Sequence, residues 1–169
     1  MKYLIPIVVA FCLPIFASSQ NITGLWKGTM YNDSTKQSLP YEVFISNDNG
    51  KYAGFSHSWF LVNGKEYYGI KKITVRVAKD GKIIMQDGTL IENNYPDGPD
   101  KNVAQLNVLD VVNIDNEVKM DGPFATKRTK LYGELTGHIS LKKVSAVIES
   151  SLMQYLQKNS SNGDVSVVK

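Results

Sequence analysis

Apolar and polar residues alternate along most of this chain, most regularly from Lys130 to Lys142. There Leu131, Gly133, Leu135, Gly137, Ile139 and Leu141 share one face, while Tyr132, Glu134, Thr136, His138, Ser140 and Lys142 share the other. Period two marks a strand buried on one side. The same period predicts strands over about 22–31, 41–47, 51–61, 65–78, 82–92, 103–114 and 117–121, ahead of this one at 130–142. In the run 41–47, Tyr41, Val43 and Ile45 lie on one side but Phe44 sits on the other, so the pattern leaves its inner face open.

Three of the breaks between runs read alike: Asn49-Gly50-Lys51, Asn63-Gly64-Lys65 and Asp80-Gly81-Lys82. Asn-Gly and Asp-Gly suit two-residue hairpins, whose central positions need positive φ. They predict an antiparallel meander of long strands, which favours a closed barrel over a sandwich. Residues 93–100 carry Pro96, Pro99, Gly98, Asp97 and Asp100, and read as an exposed loop. Asp121-Gly122-Pro123 is expected to end the seventh strand, and 126–128 to be a loop.

From Ser145 the period changes. Val144, Val147, Ile148, Leu152, Tyr155 and Leu156 recur at three and four, which predicts an amphipathic helix over about 145–158 with Ser145 as N-cap. Residues 159–169 lack such a stripe and read as a frayed tail. The expected class is all-β: an antiparallel meander β-barrel of about eight strands with a C-terminal amphipathic helix, one domain over 20–158.

The opening run holds Gly24-Leu25-Trp26. Together with eight strands in meander order and a C-terminal helix, it resembles the lipocalin-like (calycin) barrels. The resemblance implies that Gly24 and Trp26 close the base of the barrel and that the interior holds a small, apolar ligand. The basic residue such barrels place near the Trp in the last strand is matched by Lys142 or Lys143; the Thr-Asp-Tyr motif between later strands is missing. The chain is also similar to small uncharacterised secreted proteins of Bacteroidota.

Composition narrows the class. Hydrophobic residues make up 43% of 169, enough for one core, and the formal charge of +3 is too mild to argue for nucleic acid as a partner. Met1 to Gln20 resembles a secretory signal: Lys2, an apolar run from Tyr3 to Phe16, then Ala17-Ser18-Ser19, so residues 1–19 are expected to be removed. The run is short for a membrane span and carries Pro6 and Pro14. Cys12 is the only cysteine and lies inside it, so the exported chain has no disulfide, thiol nucleophile or thiolate metal site. Export without disulfides points to a periplasmic or secreted bacterial protein.

Candidate chemistry is sparse. Phe55, His57, Trp59 and Leu61 lie on one face of the third strand, with Tyr67 and Tyr68 across the hairpin. Aromatics around one or two polar groups suit a small-molecule pocket, though ordinary core packing uses the same residues. The ligand walls are therefore expected to be Trp26, Phe55, Trp59 and Tyr67, with His57 as a polar contact. No metalloprotease helix or nucleophile elbow is present, and no metal site or cofactor is expected. Asp97 and Asp100 with Asn93 and Asn94 are read as a solvated loop, and His138 as exposed. Lys71, Lys72, Arg76, Lys79 and Lys82, and the second cluster Lys127, Arg128 and Lys130, are read as charges that keep strand edges soluble.

The sequence thus supports a monomeric, non-enzymatic binding or carrier protein for a small apolar ligand. Two alternatives stay open. One is a structural or interaction module of the bacterial envelope with a filled barrel, meeting another protein or a glycan. The other is a small barrel isomerase or hydrolase, which would need a carboxylate within hydrogen-bond reach of His57 beside an open pocket.

Overall fold

The structure, a computed structural model, describes residues 21–95, 103–115, 117–130, 133–144 and 150–160. Eight strands follow in order: β1 (Gly24–Asn32), β2 (Gln37–Asp48), β3 (Lys51–Val62), β4 (Lys65–Val77), β5 (Ile83–Asn93), β6 (Gln105–Ile114), β7 (Glu117–Thr126) and β8 (Thr136–Val144). One helix follows, α1 (Ser151–Ser160). Each strand pairs antiparallel with its neighbour, and β8 returns to β1, so the sheet is a closed meander barrel. The expected class is the observed one.

The hairpin chemistry explains the order. Asn49 and Gly50 have φ of 50° and 85°, and Asn63 and Gly64 have 51° and 75°, the double left-handed geometry that matches strand twist. The third turn is built differently. Only Gly81 has positive φ, and its N–H donates to the Ala78 carbonyl at 3.0 Å, so the connection is a longer turn ending in one left-handed glycine.

Strand polarity gives the barrel two unlike ends. The turns β2–β3, β4–β5 and β6–β7 gather at the end where β1 begins, here called the base; the connections β1–β2, β3–β4, β5–β6 and β7–β8 gather at the mouth. The lumen is lined by alternate residues. Trp26, Val43, Ile45, Ile73, Val75, Ile83, Met85, Leu109, Met120, Ile139 and Leu141 belong to one buried cluster drawn from nearly every strand. The inner face left open for β2 is thereby settled: Tyr41, Val43 and Ile45 point in.

A second cluster lies on the outer wall, where Leu25, Phe55 and Ile70 meet Leu152, Met153 and Leu156 of α1. The helix is thus a patch on the outside of β1–β4. It starts at Ser150, whose Oγ accepts from the Met153 N–H at 3.1 Å. Ser145, the expected cap, lies outside the described residues, as do the signal segment, residues 96–102 and the tail beyond Ser160.

Three strand boundaries depart from the expectation, the first being that β2 begins at Gln37 rather than 41 and pairs with β1 through Pro40. β7 does not stop at Asp121-Gly122-Pro123 but runs on to Thr126. Gly122 lets β6 approach closely, because a Cβ there would collide with the Val108 carbonyl oxygen. Pro123, which has no N–H, falls where the β6–β7 ladder skips, between Asn107↔Phe124 and Asp110↔Asp121. β8 begins at Thr136 rather than Lys130, and Leu135 is exposed.

Candidate functional site

Trp26 anchors the base. It is fully buried, its Nε1–H donates to the Ile22 carbonyl at 2.9 Å, and the Lys143 ammonium stands 5.7 Å from its ring centre. Lys143 rather than Lys142 is therefore the basic residue beside the indole. Around Trp26 the lumen is packed with aliphatic side chains, so the base half is a core.

Halfway up, the character of the lumen changes. The inward positions of β4 and β5 run Val75, Ile73, Lys71 and Ile83, Met85, Asp87, and the first inward positions of β6 are Gln105 and Asn107. Lys71 and Asp87 form an ion pair whose side chains are 16% and 4% exposed. Asp87 also accepts from the Gln105 backbone N–H at 3.3 Å. From there the chain of contacts crosses the barrel: Gln105 Nε2 donates to Asn107 Oδ1 at 2.8 Å, and Asn107 Nδ2 reaches the Tyr41 hydroxyl at 3.5 Å. Burial, and then the charge of Asp87, push the Tyr41 phenol above its ordinary range, against hydrogen bonds from Ser56 and Asn107. These six side chains make a polar belt across a lumen that is otherwise apolar below it.

The backbone geometry that places the belt is specific. The β4–β5 ladder shifts register on either side of Lys71, a bulged stretch of the sort that re-aims side chains. The β5–β6 ladder runs only from Ile83↔Leu109 to Gln86↔Leu106, so among the described residues β5 beyond Gln86 pairs with β4 alone. The Asp87 carboxylate takes the place of a ladder acceptor at the start of β6. Above the belt stands an aromatic group: Phe60 lies 5.7 Å from Tyr67 and 5.2 Å from Tyr95 between ring centres. Tyr95 reaches into the space that Gly69 leaves, since a Cβ at Gly69 would collide with its hydroxyl.

The barrel divides the five residues expected to line one pocket. Trp26 and Tyr67 point into the lumen, one at the packed base and the other, 7% exposed, near the mouth. Phe55, His57 and Trp59 share a face as expected, but it is the outer one. The register proves this: Phe55 pairs with Phe44, and His57 with Glu42 and Ile70, all on the wall that α1 covers. Phe55 packs under the helix, and His57 stacks on Trp59 at 3.7 Å with Tyr68 edge-on at 5.4 Å.

His57 is 5% exposed, and among the described residues neither ring nitrogen has a hydrogen-bond partner. Burial lowers its pKa to about 4, with the Glu42 charge opposing, so the ring is neutral at pH 7. Glu42 faces it across the ladder, but its oxygens are committed elsewhere. Oε2 accepts from Ser150 Oγ at 2.8 Å and from the Leu152 N–H at 3.0 Å, and Oε1 pairs with Lys27 at 3.2 Å. The carboxylate holds the N-terminus of α1 rather than orienting the imidazole.

The remaining candidates are peripheral. His138 is exposed and sits 2.8 Å from Asp121. Asp97 and Asp100 lie outside the described residues, and among those described no three His, Cys, Asp or Glu are grouped to hold a metal ion. No helix among the described residues is long and apolar enough to cross a membrane. A shallow cleft of about 440 Å³ lies at the base end, lined by Gly50, Lys51, Tyr52, Val75, Arg76 and Val77.

The charges of β4 were expected to keep strand edges soluble; Lys72 and Arg76 are exposed, but Lys71 is turned into the lumen. The belt residues were missed by sequence reasoning, yet a signal existed. Each of Lys71, Asp87 and Asn107 is a polar residue standing in register with an inward apolar series, two positions from Ile73, Met85 and Leu109. No protein-family model matches this chain, and no curated protein matches it.

Proposed function

We propose that this is a non-enzymatic, exported carrier or binding protein of the lipocalin-like kind, holding a small ligand in the mouth half of its barrel. The observation that carries the reading is the polar belt. Buried Gln105, Asn107 and Tyr41 and half-buried Lys71 and Asp87 converge inside the lumen beneath Phe60, Tyr67 and Tyr95, the composition of a small-molecule site: apolar walls with a few placed polar groups. Kinship with lipocalin-like barrels is supported by the indole at the base of β1 and the Lys143 ammonium above it. Trp26, Phe55, His57 and Trp59 leave the ligand assignment, and of the residues first expected Tyr67 stays.

Thermal-shift screening of residues 20–169 against fatty acids, isoprenoids, haem and oligosaccharides tests the proposal. A ligand at a hundred times its Kd adds about 2.7 kcal/mol to the native state. For a chain of this size that is a rise in Tm of about 5–10 °C. Tyr67→Ala, which removes a wall residue of the mouth, should abolish the shift. A flat response from every class would overturn the reading.

A second reading rests on a separate observation. Tyr31, Leu61, Leu106 and Leu135 are all large, apolar and at least 37% exposed, and all four lie at the mouth. Such a rim fits docking of the mouth onto another envelope component, the interaction-module alternative. Pull-down partners lost on Leu61→Asp and Leu106→Asp, with the thermal-shift screen flat, would favour it.

A further inference from the structure

We propose that α1 is a proton-released strap: His57 takes up a proton only when the helix leaves the outer wall, so mild acid detaches α1 from a barrel that stays closed.

The geometry sets His57 at the footing of the helix. Its two ladder partners are Glu42 and Ile70. Ile70 packs with Leu152, Met153 and Leu156, and Glu42 accepts from Ser150 Oγ and the Leu152 N–H. The ring itself is 5% exposed, and among the described residues both of its nitrogens lack a hydrogen-bond partner. A neutral imidazole there leaves a donor and an acceptor unmet; an imidazolium would leave two donors unmet and a charge out of water.

A proton on the ring can be accommodated in two ways, and both undo docking. The Glu42 carboxylate can turn to the imidazolium, and in doing so it gives up Ser150 Oγ and the Leu152 N–H. Otherwise the ring must reach water, on the wall where α1 lies. Of the other titratable groups on the elements around it, Tyr68 stands edge-on at 5.4 Å, Lys27 pairs with Glu42, Tyr155 packs in the helix cluster, and Glu66, Lys72 and Lys158 are exposed. Burial and the Glu42 charge, rather than these groups, set the proton affinity of the ring. The barrel needs nothing from the helix to close, because β8 pairs with β1 before α1 begins. Release bares Leu25, Phe55 and Ile70.

Linkage gives the size of the effect. The ring is held at a pKa of about 4 under the helix and returns toward 6.5 once bare, so docking is at full strength above pH 6.5 and weakens as pH falls toward 4. Between pH 7.5 and 5 the helix should open more often by up to about thirtyfold.

The experiment is native-state hydrogen exchange of residues 20–169 at pH 7.5 and 5, in low urea, with rates corrected for intrinsic exchange. The Tyr155 and Leu156 amides are expected to exchange through an opening that urea barely promotes, because a detached helix exposes far less surface than an unfolded barrel. That opening should be about three- to thirtyfold more frequent at the lower pH. In His57→Phe it should change by less than about threefold, and His57→Gln is read in its place if that variant does not fold. His138 is present in every protein compared, so its contribution cancels.

Three results would overturn the inference. Helix amides whose exchange depends on urea as steeply as that of the strand amides would show that α1 leaves only when the barrel unfolds. A rise of less than about threefold in the parent would show that docking does not sense pH. A rise above about threefold in the variant would place the proton elsewhere.

Discussion

Glu42→Gln tests how α1 is held to the barrel. A ten-residue helix is marginal alone, because nucleation is costly and few hydrogen bonds repay it. α1 must therefore draw its stability from docking. Its apolar face contributes Leu152, Met153 and Leu156, and its N-terminus contributes the Glu42 contacts: Ser150 Oγ at 2.8 Å and the Leu152 N–H at 3.0 Å. A carboxylate here also meets the positive end of the helix dipole. Hydrogen bonds to a charged acceptor contribute about 1.5–3 kcal/mol and neutral ones about 0.5–1.5, so replacing two of the first by two of the second loses about 2 kcal/mol.

The Lys27 pair adds little, since the Lys27 side chain is 32% exposed and exposed pairs contribute below about 1 kcal/mol. The shape of the side chain is kept, so no cavity complicates the reading. Urea unfolding should show a loss of about 2 kcal/mol, equivalent to a fall of about 4–8 °C in Tm. Native-state hydrogen exchange reads the same loss at the helix itself: the Leu152 and Met153 amides should exchange about thirtyfold faster. Ser150→Ala should cost about 1–2 kcal/mol and combine with Glu42→Gln less than additively, because the two share one bond. A Glu42→Gln protein within 0.5 kcal/mol of the parent, with unchanged exchange at Leu152, would refute the capping argument.

Two further outcomes follow from the same structure. His57 is held to a pKa of about 4 in the fold against 6.5 unfolded, so the unfolded chain takes up the proton first as pH falls; stability is lost between about pH 6.5 and 4 and levels off below. The loss is at most about 3 kcal/mol, and urea unfolding of His57→Phe beside the parent at pH 7.5 and 4.5 should show the variant gaining on it at the lower pH, whereas parallel changes would refute the assignment. Trp26→Ala should cost about 3–5 kcal/mol in denaturant unfolding, since it opens a cavity in the packed base and strips the Ile22 carbonyl of its donor.

How far the fold could be read from sequence differs along the chain, for physical reasons. β3, the start of β4 and the Asn-Gly hairpins at either end of β3 were legible because Asn-Gly turns fix register, and a fixed register carries the alternation across strands. β7 was cut short because Gly122 and Pro123 normally punctuate a strand. What rescues it is tertiary: the close passage of β6 past Gly122, and a gap in the ladder where Pro123 has nothing to donate. The outer face of β3 was misread for a related reason. Phe55, His57 and Trp59 look like lumen residues because they are large and apolar, but a helix on the outer wall buries that side too. The inner positions Ser56 and Ser58 and the neighbouring Gly54 look like an outer face. Alternation reveals that a strand has two faces; when both are covered, it does not say which is inside.

On the proposed carrier reading, the polar belt is the point at which stability and function pull apart. Replacing a buried ion pair by apolar side chains of similar volume is often neutral or stabilising, by about 1–4 kcal/mol, because desolvating two charges consumes most of their attraction. The base of this barrel, with Ile73, Val75, Ile83 and Met85 in the same two strands, shows that aliphatic residues fill the lumen readily. A barrel built only to be stable would continue that series through positions 71 and 87. Instead it keeps Lys71 and Asp87, with Gln105 and Asn107 beside them, directly below the aromatic mouth. K71M/D87L should therefore unfold at an equal or higher urea concentration than the parent. A double variant that is destabilised by several kcal/mol would assign the belt to holding β4, β5 and β6 together, and the reason for its polarity would be structural.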